Sequence, residues 1–222
     1  MNQATNHHKP SSLIPGLGVI VMAAGLGKRM NSNDAKVLHQ VAGKAMVLYA
    51  VDVALRLVGH RIAVVVGHQA DRVRQVIESG IAGRLRAEAV NIVEQPDQLG
   101  TGHAVMQSRS VFVDEKAARP TQYLILNGDT PLLKEQTARD LVQVHQSQDA
   151  TVTILTAKLD DPSGYGRLFV GGPISNMVMS PRPMCSRLSR IEMRLRQNEP
   201  PMKSMSAPMS FLETFSSMHW TN

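Results

Sequence analysis

The chain has 222 residues, enough to bury one sizeable core, with a single cysteine (Cys185) and a formal net charge of +6. One cysteine excludes an internal disulfide. No apolar run is longer than a strand, and residues 1–16 are polar, which argues against a membrane span and a signal peptide. These features favour a cytoplasmic protein. Nucleic acid is not an expected partner, because aromatic residues make up only 4% of the chain and half of the positive excess lies in residues 171–222.

Short apolar runs alternate along the chain with longer amphipathic segments. The short runs predict strands at residues 18–22, 62–66, 90–93, 123–126 and 151–155. The amphipathic segments predict helices at about residues 45–58, 70–79, 102–117 and 135–146. Strands that are apolar on both faces belong to a sheet covered on both sides, so the sequence predicts an α/β, Rossmann-like, mostly parallel sheet with helices on both faces. Ligands of such sheets bind beyond the carboxyl ends of the strands, and three distinctive segments fall there.

The first distinctive segment follows strand 18–22 and reads AAGLGKRM, residues 23–30. Its small residues allow backbone N–H groups to approach an anion, its two adjacent cations add full charges, and Lys36 follows six residues later. The segment is not a P-loop, which needs glycine where Met22 stands, and not a dinucleotide fingerprint, which needs glycine where Met30 stands. It therefore predicts an anion site, although an ordinary strand-turn-helix connection also fits these residues.

The second segment, EQPDQLGTGHA at residues 94–104, lies between a predicted strand and a predicted helix. Gln95 and Gln98 offer amide donors and acceptors suited to the edge of a nucleobase. The glycines on either side of Thr101 allow close backbone approach, and the threonine adds a hydroxyl. His103 is expected to make a local hydrogen bond rather than to act in catalysis. A solvated turn is the alternative interpretation of the whole segment.

The third segment, LNGDTPLL at residues 126–133, ends an apolar strand. Its carboxylate, Asp129, suits Mg²⁺, which takes one or two protein carboxylates and completes its coordination with phosphate oxygens and water. The alternative is that Asp129 caps the next turn, because aspartate before Thr130-Pro131 is favourable turn chemistry.

These segments together resemble a known family. The matching stretches, in chain order, are VMAAGLGKRM, KVLH, GKAM, QPDQLGTGHAV, LNGDTPLL and DDPSGYGRL. Over residues 17–168 the chain resembles the N-terminal uridylyltransferase domain of the bifunctional N-acetylglucosamine-1-phosphate uridylyltransferase/glucosamine-1-phosphate N-acetyltransferase. The first and third segments indicate only the wider nucleotidyltransferase superfamily, whereas QLGTGHA and DPSGYGRL point to this member. The resemblance implies the nucleotide-diphospho-sugar transferase fold, here incomplete at its C-terminal end.

The resemblance implies Mg²⁺-dependent transfer of UMP from UTP to N-acetylglucosamine 1-phosphate, which yields UDP-N-acetylglucosamine and pyrophosphate. The residues implied to neutralise the phosphates are Arg29 and Lys36. The residues implied to hold the nucleotide are Ala23, Ala24, Gly25, Gln95, Gly100 and Thr101. Asp129 is implied to bind Mg²⁺, and Gly164 to lie against the sugar. A glutamate and two asparagines of the family have no counterparts here, so impaired activity is expected.

Two other functions stay open. One is a working nucleotidyltransferase that uses another sugar phosphate or a molybdopterin acceptor, which QPDQLGTGHA disfavours. The other is a nucleotide-binding remnant that is not an enzyme, since it keeps the first half of the site and lacks the acceptor half. In each of these interpretations the partners are small molecules, with no role for nucleic acid or a membrane.

The chain changes character after residue 168. Eight of the 13 methionines lie between residues 177 and 218, and the strand-helix alternation stops. A shifted reading frame across residues 202–211 permits EINVGTYVF, close to the family's E-I-N-T-G-I-Y pattern, which suggests a frameshifted translation. A genuine divergent tail is the alternative, and the coding DNA would decide between them.

The predicted organisation is a disordered tail at residues 1–16, a partial nucleotidyltransferase domain at 17–168, and an aberrant, poorly ordered tail at 169–222. The acetyltransferase β-helix of the family is absent from the chain. Because that β-helix drives the family's trimer, the resemblance implies that this chain does not form it.

Overall fold

A computed structural model describes residues 12–25, 27, 32–113 and 119–157, together with the backbone of 187–190 and 213–216. Its strands are β1 (Leu17–Ala23), β2 (Gln40–Val41), β3 (Lys44–Ala45), β4 (Ile62–Val66), β5 (Val90–Glu94), β6 (Gln122–Asn127), β7 (Val152–Thr156), β8 (Arg187–Arg190) and β9 (Glu213–Ser216). Its α-helices are α1 (Met46–Leu57), α2 (Ala70–Ile81), α3 (Thr101–Gln107), α4 (Arg109–Phe112) and α5 (Glu135–Ser147). Single 3-10 turns occupy Lys36–Leu38 and Ala87–Ala89.

Seven of the described strands form one sheet in the order β5-β4-β1-β6-β9-β7-β8. β5, β4, β1 and β6 are parallel to their neighbours within this group. β9 is antiparallel to both β6 and β7, and β8 is antiparallel to β7. β2 and β3 form a separate antiparallel hairpin. The prediction of a mostly parallel sheet with helices is confirmed.

The strands are buried on both faces because their side chains alternate between two hydrophobic cores. In β1, Val19 and Val21 belong to the core that also includes side chains of α1, α2 and α5. Ile20 lies in the core on the other face, with side chains of α3 and α4. Every side chain of β4 is fully buried, and each large apolar side chain buried in this way contributes about 1.5–3 kcal/mol. This two-sided burial explains why the strands read as continuous apolar runs.

The helix predicted at residues 102–117 is two short helices that meet at Ser108. The Ser108 hydroxyl donates to the carbonyl of Val105 at 2.6 Å, and the Ser108 N–H donates to the same carbonyl at 3.0 Å. A serine hydroxyl that competes for a backbone carbonyl bends or interrupts a helix. The second helix ends at Phe112, and residues 114–118 lie outside the described part of the chain. The prediction of one continuous helix was therefore wrong.

An aromatic pair attaches α4 to the sheet. The rings of Phe112 and Tyr123 meet edge to face, with centroids 5.1 Å apart and an angle of 77° between their planes. Such a pair adds about 0.5–1.5 kcal/mol beyond the area that it buries. A Cβ on Gly18 would lie 2.9 Å from Phe112 and 3.0 Å from Tyr123. The glycine in β1 is therefore what leaves room for the ring pair.

Residues 12–16, which the sequence analysis assigned to the N-terminal tail, contact the domain. The N–H of Ile14 donates to the carbonyl of Leu57 at the end of α1, at 2.8 Å, and its side chain packs against the larger core. The guanidinium of Arg139 donates to the carbonyl of Ser12 at 2.8 Å. The side chain of Ile14 is partly buried, and the carbonyls of Leu57 and Ser12 each accept a hydrogen bond. This stretch is therefore part of the fold.

The strands β8 and β9 come from the region after residue 168, where the sequence predicted no element. Their backbones pair with β6 and β7. The other residues from 158 onward lie outside the described part, and the frameshift hypothesis stays a prediction about the coding DNA. Among the described helices, none combines the length and apolar character needed to cross a bilayer.

Candidate active site

The loops that follow four neighbouring parallel strands lie along one edge of the sheet. Ala23 at the end of β1 is level with Val66 at the end of β4, and Val66 is level with Glu94 at the end of β5. Met22 is level with Asn127 at the end of β6. The three distinctive segments therefore meet at the carboxyl edge, where sheets of this kind bind ligands.

The first loop is held by contacts to the loops on either side of it. Ala23 and Ala24 are buried, whereas Gly25 is exposed. The amide nitrogen of Gln98, in the second segment, donates to the carbonyl of Ala24 at 2.9 Å. A Cβ on Gly67, in the loop after β4, would lie 2.9 Å from that amide nitrogen and 3.0 Å from the Ala24 carbonyl oxygen. The loops after β1, β4 and β5 are therefore in close mutual contact.

The third segment is equally close to the first. The N–H of Gly128 donates to the carbonyl of Met22 at 2.9 Å, and a Cβ on Gly128 would lie 2.9 Å from the same oxygen. Only glycine fits this approach, and it sets Asp129 beside the first loop. The turn itself is closed by the hydroxyl of Thr130, which donates to the carbonyl of Asn127 at 2.8 Å.

An ion pair joins the first and third segments. The ammonium nitrogen of Lys36 lies 2.7 Å from Oδ2 of Asp129, and the two side chains are 36% and 31% exposed. Among the described residues, the Asp129 carboxylate accepts a hydrogen bond from Lys36 and from no backbone N–H of its own turn, so it does not cap the turn. An ion pair this exposed adds about 0.2–1 kcal/mol to stability. Either group can therefore exchange its partner for a phosphate or a metal ion at low cost.

Lys36 is positioned by the loop before it and by the start of α2. Gly27 has a φ of +58°, and a Cβ there would lie 2.9 Å from Cβ of Lys36, so the loop passes directly against this lysine. Gln69 precedes α2 and accepts from the N–H of Ala35 at 3.2 Å through its amide oxygen. The same amide donates to the carbonyl of Asn33. The backbone leading into Lys36 is thus attached to the fold by side-chain hydrogen bonds.

The second segment is built around a buried glutamine. Gln95 is 4% exposed, and its backbone N–H donates to the carbonyl of Val66 at 2.8 Å. Its side-chain nitrogen lies 3.1 Å from the carbonyl oxygen of Gly100 and 3.1 Å from Nδ1 of His103. Thr101, exposed, begins α3. The prediction that His103 makes local hydrogen bonds is confirmed.

The predicted site residues divide into those that the structure describes and those that it does not. The described ones lie at the carboxyl edge, on loops and turns or, for Ala23 and Thr101, at the end of β1 and the start of α3. They are Ala23, Ala24, Gly25, Lys36, Gln95, Gly100, Thr101 and Asp129. Arg29 and Gly164 lie outside the described residues. The roles of all ten in binding or catalysis stay predictions.

A second lysine, in the GKAM stretch, is engaged differently. Lys44 forms an ion pair with Asp52, which also pairs with Arg84. The Lys44 ammonium group also lies over the ring of Tyr49, 4.5 Å from its centroid. This lysine has local anionic and aromatic partners, which favours a structural role for it over a role in binding phosphate.

The fold and this edge define an α/β domain with a candidate ligand site at the carboxyl edge of its sheet, and comparison with known proteins identifies its family. The family model for the MobA-like NTP transferase domain matches residues 19–200. The chain therefore belongs to the MobA-like NTP transferase domain family, whose general chemistry is nucleotidyl transfer.

Two curated relatives are similar over about 70% of the chain. The bifunctional protein GlmU of Thermoanaerobacter pseudethanolicus is 41% identical over 153 residues, which are 69% of this chain and 30% of that protein. The bifunctional protein GlmU of Synechococcus sp. strain RCC307 is 43% identical over 164 residues, 73% of this chain and 34% of that protein. These matches confirm the resemblance seen in the sequence motifs. The chain spans about a third of the length of these relatives.

One solved structure with a similar fold is a CMP:2-keto-3-deoxy-manno-octonic acid synthetase in complex with CTP. It is 16% identical, with a TM-score of 0.50, and the match covers 90% of this chain and 73% of that one. At this identity the likeness concerns the fold alone.

Proposed function

We propose that this domain binds UTP along the carboxyl edge of its sheet and transfers UMP to N-acetylglucosamine 1-phosphate. The observation that supports this most directly is the 2.7 Å contact between Lys36 and Asp129. It sets a cation and a metal-binding type of carboxylate next to each other, beside a loop of small residues. The choice of UTP and of this acceptor rests on the sequence resemblance, and nucleotidyl transfer rests on the family.

In this proposal the nucleotide lies across the first and second segments. The backbone of Ala23, Ala24 and Gly25 approaches the nucleotide closely because none of these residues has a side chain larger than a methyl group. The residues proposed to contact uridine are Gln95, Gly100 and Thr101. Gly100 has a φ of +106°, a conformation that lets its backbone approach the ligand and that other residues rarely adopt.

The chemical step is a displacement at phosphorus. An oxygen of the sugar phosphate forms a bond to the α-phosphorus of UTP, the bond from that phosphorus to the bridging oxygen breaks, and pyrophosphate leaves with the electron pair. Both reactants are anions, so Lys36 promotes the step by neutralising phosphate oxygens, an effect of about 10² in rate for a well-placed group. Arg29 is proposed to add a second cation. The attacking oxygen is already negatively charged, so no general base is needed.

Asp129 fits the requirements of a Mg²⁺ ligand. Its turn is closed by another side chain, and its carboxylate already faces a cation, the Lys36 ammonium group. The described residues contain no cluster of three or more His, Cys, Asp or Glu that could hold a metal, and Mg²⁺ commonly uses one or two carboxylates together with substrate phosphates. When bound, Mg²⁺ would supply Lewis-acid neutralisation of phosphate charge. Lys36 would then be released from Asp129 toward the phosphates.

The acceptor side of the site is the less complete half. Gly164 is proposed to lie against the sugar, and the family's glutamate and asparagines have no counterparts in this sequence. We therefore expect this chain to keep its affinity for the nucleotide better than its rate of turnover, relative to an intact domain of the family. Transfer to another acceptor, and nucleotide binding without transfer, are the alternatives.

One experiment separates these functions. The purified 222-residue chain is incubated with UTP, N-acetylglucosamine 1-phosphate and Mg²⁺, and pyrophosphate release is measured beside UTP binding. Release that depends on this acceptor supports the proposal. Release only with another sugar phosphate or with molybdopterin supports a different nucleotidyltransferase, and binding without release with any acceptor supports the remnant. Failure to bind UTP overturns the proposal.

A further inference from the structure

The buried amide of Gln95 has an orientation that its neighbours dictate. One end of the amide lies 3.1 Å from the carbonyl oxygen of Gly100. A carbonyl oxygen accepts hydrogen bonds and never donates them, so the end of the amide that faces it must be the nitrogen. The chemistry of the partner therefore fixes which way the amide points, independently of the similar shape of its two ends.

The same nitrogen determines the protonation of His103. It lies 3.1 Å from Nδ1 of the imidazole, and an amide nitrogen only donates, so Nδ1 must be the unprotonated acceptor. The proton of the neutral ring is then on Nε2. The structure places the side-chain nitrogen of Gln107 2.9 Å from Nε2. With the ring proton on Nε2 two donors would face each other there, so we infer that the Gln107 amide is turned by half a turn and accepts through its oxygen.

These contacts use both hydrogens of the Gln95 amide and leave its oxygen for a ligand. Within the described part of the chain, no donor reaches this oxygen. A buried side chain whose one remaining polar atom is an acceptor selects ligands that carry a hydrogen-bond donor.

We propose that His103 is a positioning residue that sets pyrimidine selectivity by holding the Gln95 amide with its oxygen toward the bound base. This inference rests on the proposed function, in which Gln95 contacts uridine. Uracil carries N–H at ring position 3 and donates to the oxygen. Cytosine in the same pose carries a lone pair at that position, so two acceptors would face each other.

His103 makes the selection hard to reverse. Rotating the Gln95 amide by half a turn would offer cytosine a donor. The rotation would, however, bring the amide oxygen against the carbonyl of Gly100 and against the lone pair on Nδ1 of His103. The carbonyl of Gly100 opposes the rotated amide in either tautomer, and the imidazole opposes it as long as its proton stays on Nε2, where the turned Gln107 amide accepts it.

The test compares UTP and CTP binding to the full chain by calorimetry with Mg²⁺ present. His103→Leu removes the acceptor, and we expect the preference for UTP over CTP to fall by about fivefold, the value of one ordinary hydrogen bond. His103→Asn keeps an amide oxygen near the position of Nδ1 and should restore the preference. His60→Leu, at an exposed histidine, is the matched control and should leave the preference unchanged.

A second readout does not depend on the ligand or on the variants. Nitrogen-15 NMR of the histidine side chains in the unliganded wild type should report His103 as the neutral tautomer with its proton on Nε2. A proton on Nδ1 overturns the inference. So does an unchanged UTP to CTP preference in a folded His103→Leu variant, while the proposed function survives both results. Absence of UTP binding in the wild type overturns the two together.

Discussion

The two halves of the candidate site at the carboxyl edge are organised in opposite ways. On one side, Gln95 is 4% exposed and neutral, and every hydrogen of its amide is engaged. On the other side, Lys36 and Asp129 are charged and about one-third exposed, and they have each other as partners. A buried, satisfied polar network is costly to rearrange, whereas an exposed ion pair rearranges easily. The first arrangement suits selection among similar bases, and the second suits the exchange of partners during a reaction.

The largest expected effect comes from removing the charge on the exposed side. Asp129→Asn should remove most of the UTP binding and turnover that depends on Mg²⁺, a loss of about 10² or more, because a neutral amide oxygen is a much weaker Mg²⁺ ligand than a carboxylate. The measurement is pyrophosphate release, or UTP affinity, as a function of Mg²⁺ concentration. Asp97→Asn, at an exposed aspartate of the second segment, is the control for the loss of one negative charge. Equal Mg²⁺ dependence in the two variants would contradict the role of Asp129.

The next largest effect is expected from a substitution that pushes the first segment (residues 23–30) and the third segment (residues 126–133) apart. Gly128→Ala places a methyl group 2.9 Å from the Met22 carbonyl oxygen, and we expect a loss of about 1–3 kcal/mol in the free energy of unfolding. Urea denaturation measures it. Gly102→Ala is the control, because a Cβ there meets nothing within 4 Å and its φ is not positive. It should be neutral or stabilising, since alanine favours helices over glycine. Equal stability in both variants would refute the tight contact.

A smaller effect is expected on the neutral side. Gln98→Ala removes the hydrogen bond to the Ala24 carbonyl, so the first loop loses one of its restraints, and UTP affinity should fall by about fivefold. Gln136→Ala is the control, because this glutamine is exposed on α5 and bonds to Asp140. Calorimetry with UTP distinguishes them. If both variants bind UTP as the wild type does, Gln98 does not support the loop.

The smallest expected effect concerns the pH dependence of the free energy of unfolding. We expect part of this dependence to come from His145, which lies away from the candidate site. Burial lowers the pKa of His145 below its ordinary value of 6.5, and Asp149 partly opposes the shift. Its Nδ1 lies 2.9 Å from the hydroxyl of Thr153. The unfolded chain binds the proton more readily, so this contribution to stability is complete above pH 6.5 and is lost as the pH falls from there through the folded pKa.

His145→Gln should therefore lose less stability than the wild type between about pH 8 and pH 5. Urea midpoints at the two pH values provide the comparison, with His60→Gln at an exposed site as the control. Identical pH profiles for the wild type and His145→Gln would show that burial of this histidine does not contribute.

The sheet and its helices were predictable because their signals are local. The run at 62–66 is apolar throughout, and it is fully buried in the structure as β4. Ser108 shows the limit of periodicity, since the apolar spacing continues through it while its hydroxyl interrupts the helix. The hairpin of β2 and β3 was missed because its turn uses Ala42, with a φ of +49°, where asparagine or aspartate would have been the recognisable signal.

The contacts within the site were harder to predict because they join distant parts of the chain. Lys36 and Asp129 are 93 residues apart, and Gln98 is 74 residues from the carbonyl that it binds. The motifs identified these residues, but not their pairing. Gln69 and Arg72 were missed altogether. Arg72 pairs with Asp34 at 2.6 Å and donates to Gln69 at 2.9 Å, and nothing near them in the sequence marks them as supports of the site.

The attachment of the segment before β1 bears on how the protein should be produced for such measurements. The carbonyl of Ser12 accepts from Arg139, which also donates to the carbonyl of Arg56 at the end of α1. The carbonyl of Gly16 accepts from the N–H of Thr121 at 2.9 Å. A recombinant version trimmed to residue 17 would remove the acceptors of the Thr121 N–H and of one Arg139 N–H group. An affinity tag and its protease cleavage site therefore belong ahead of Ser12.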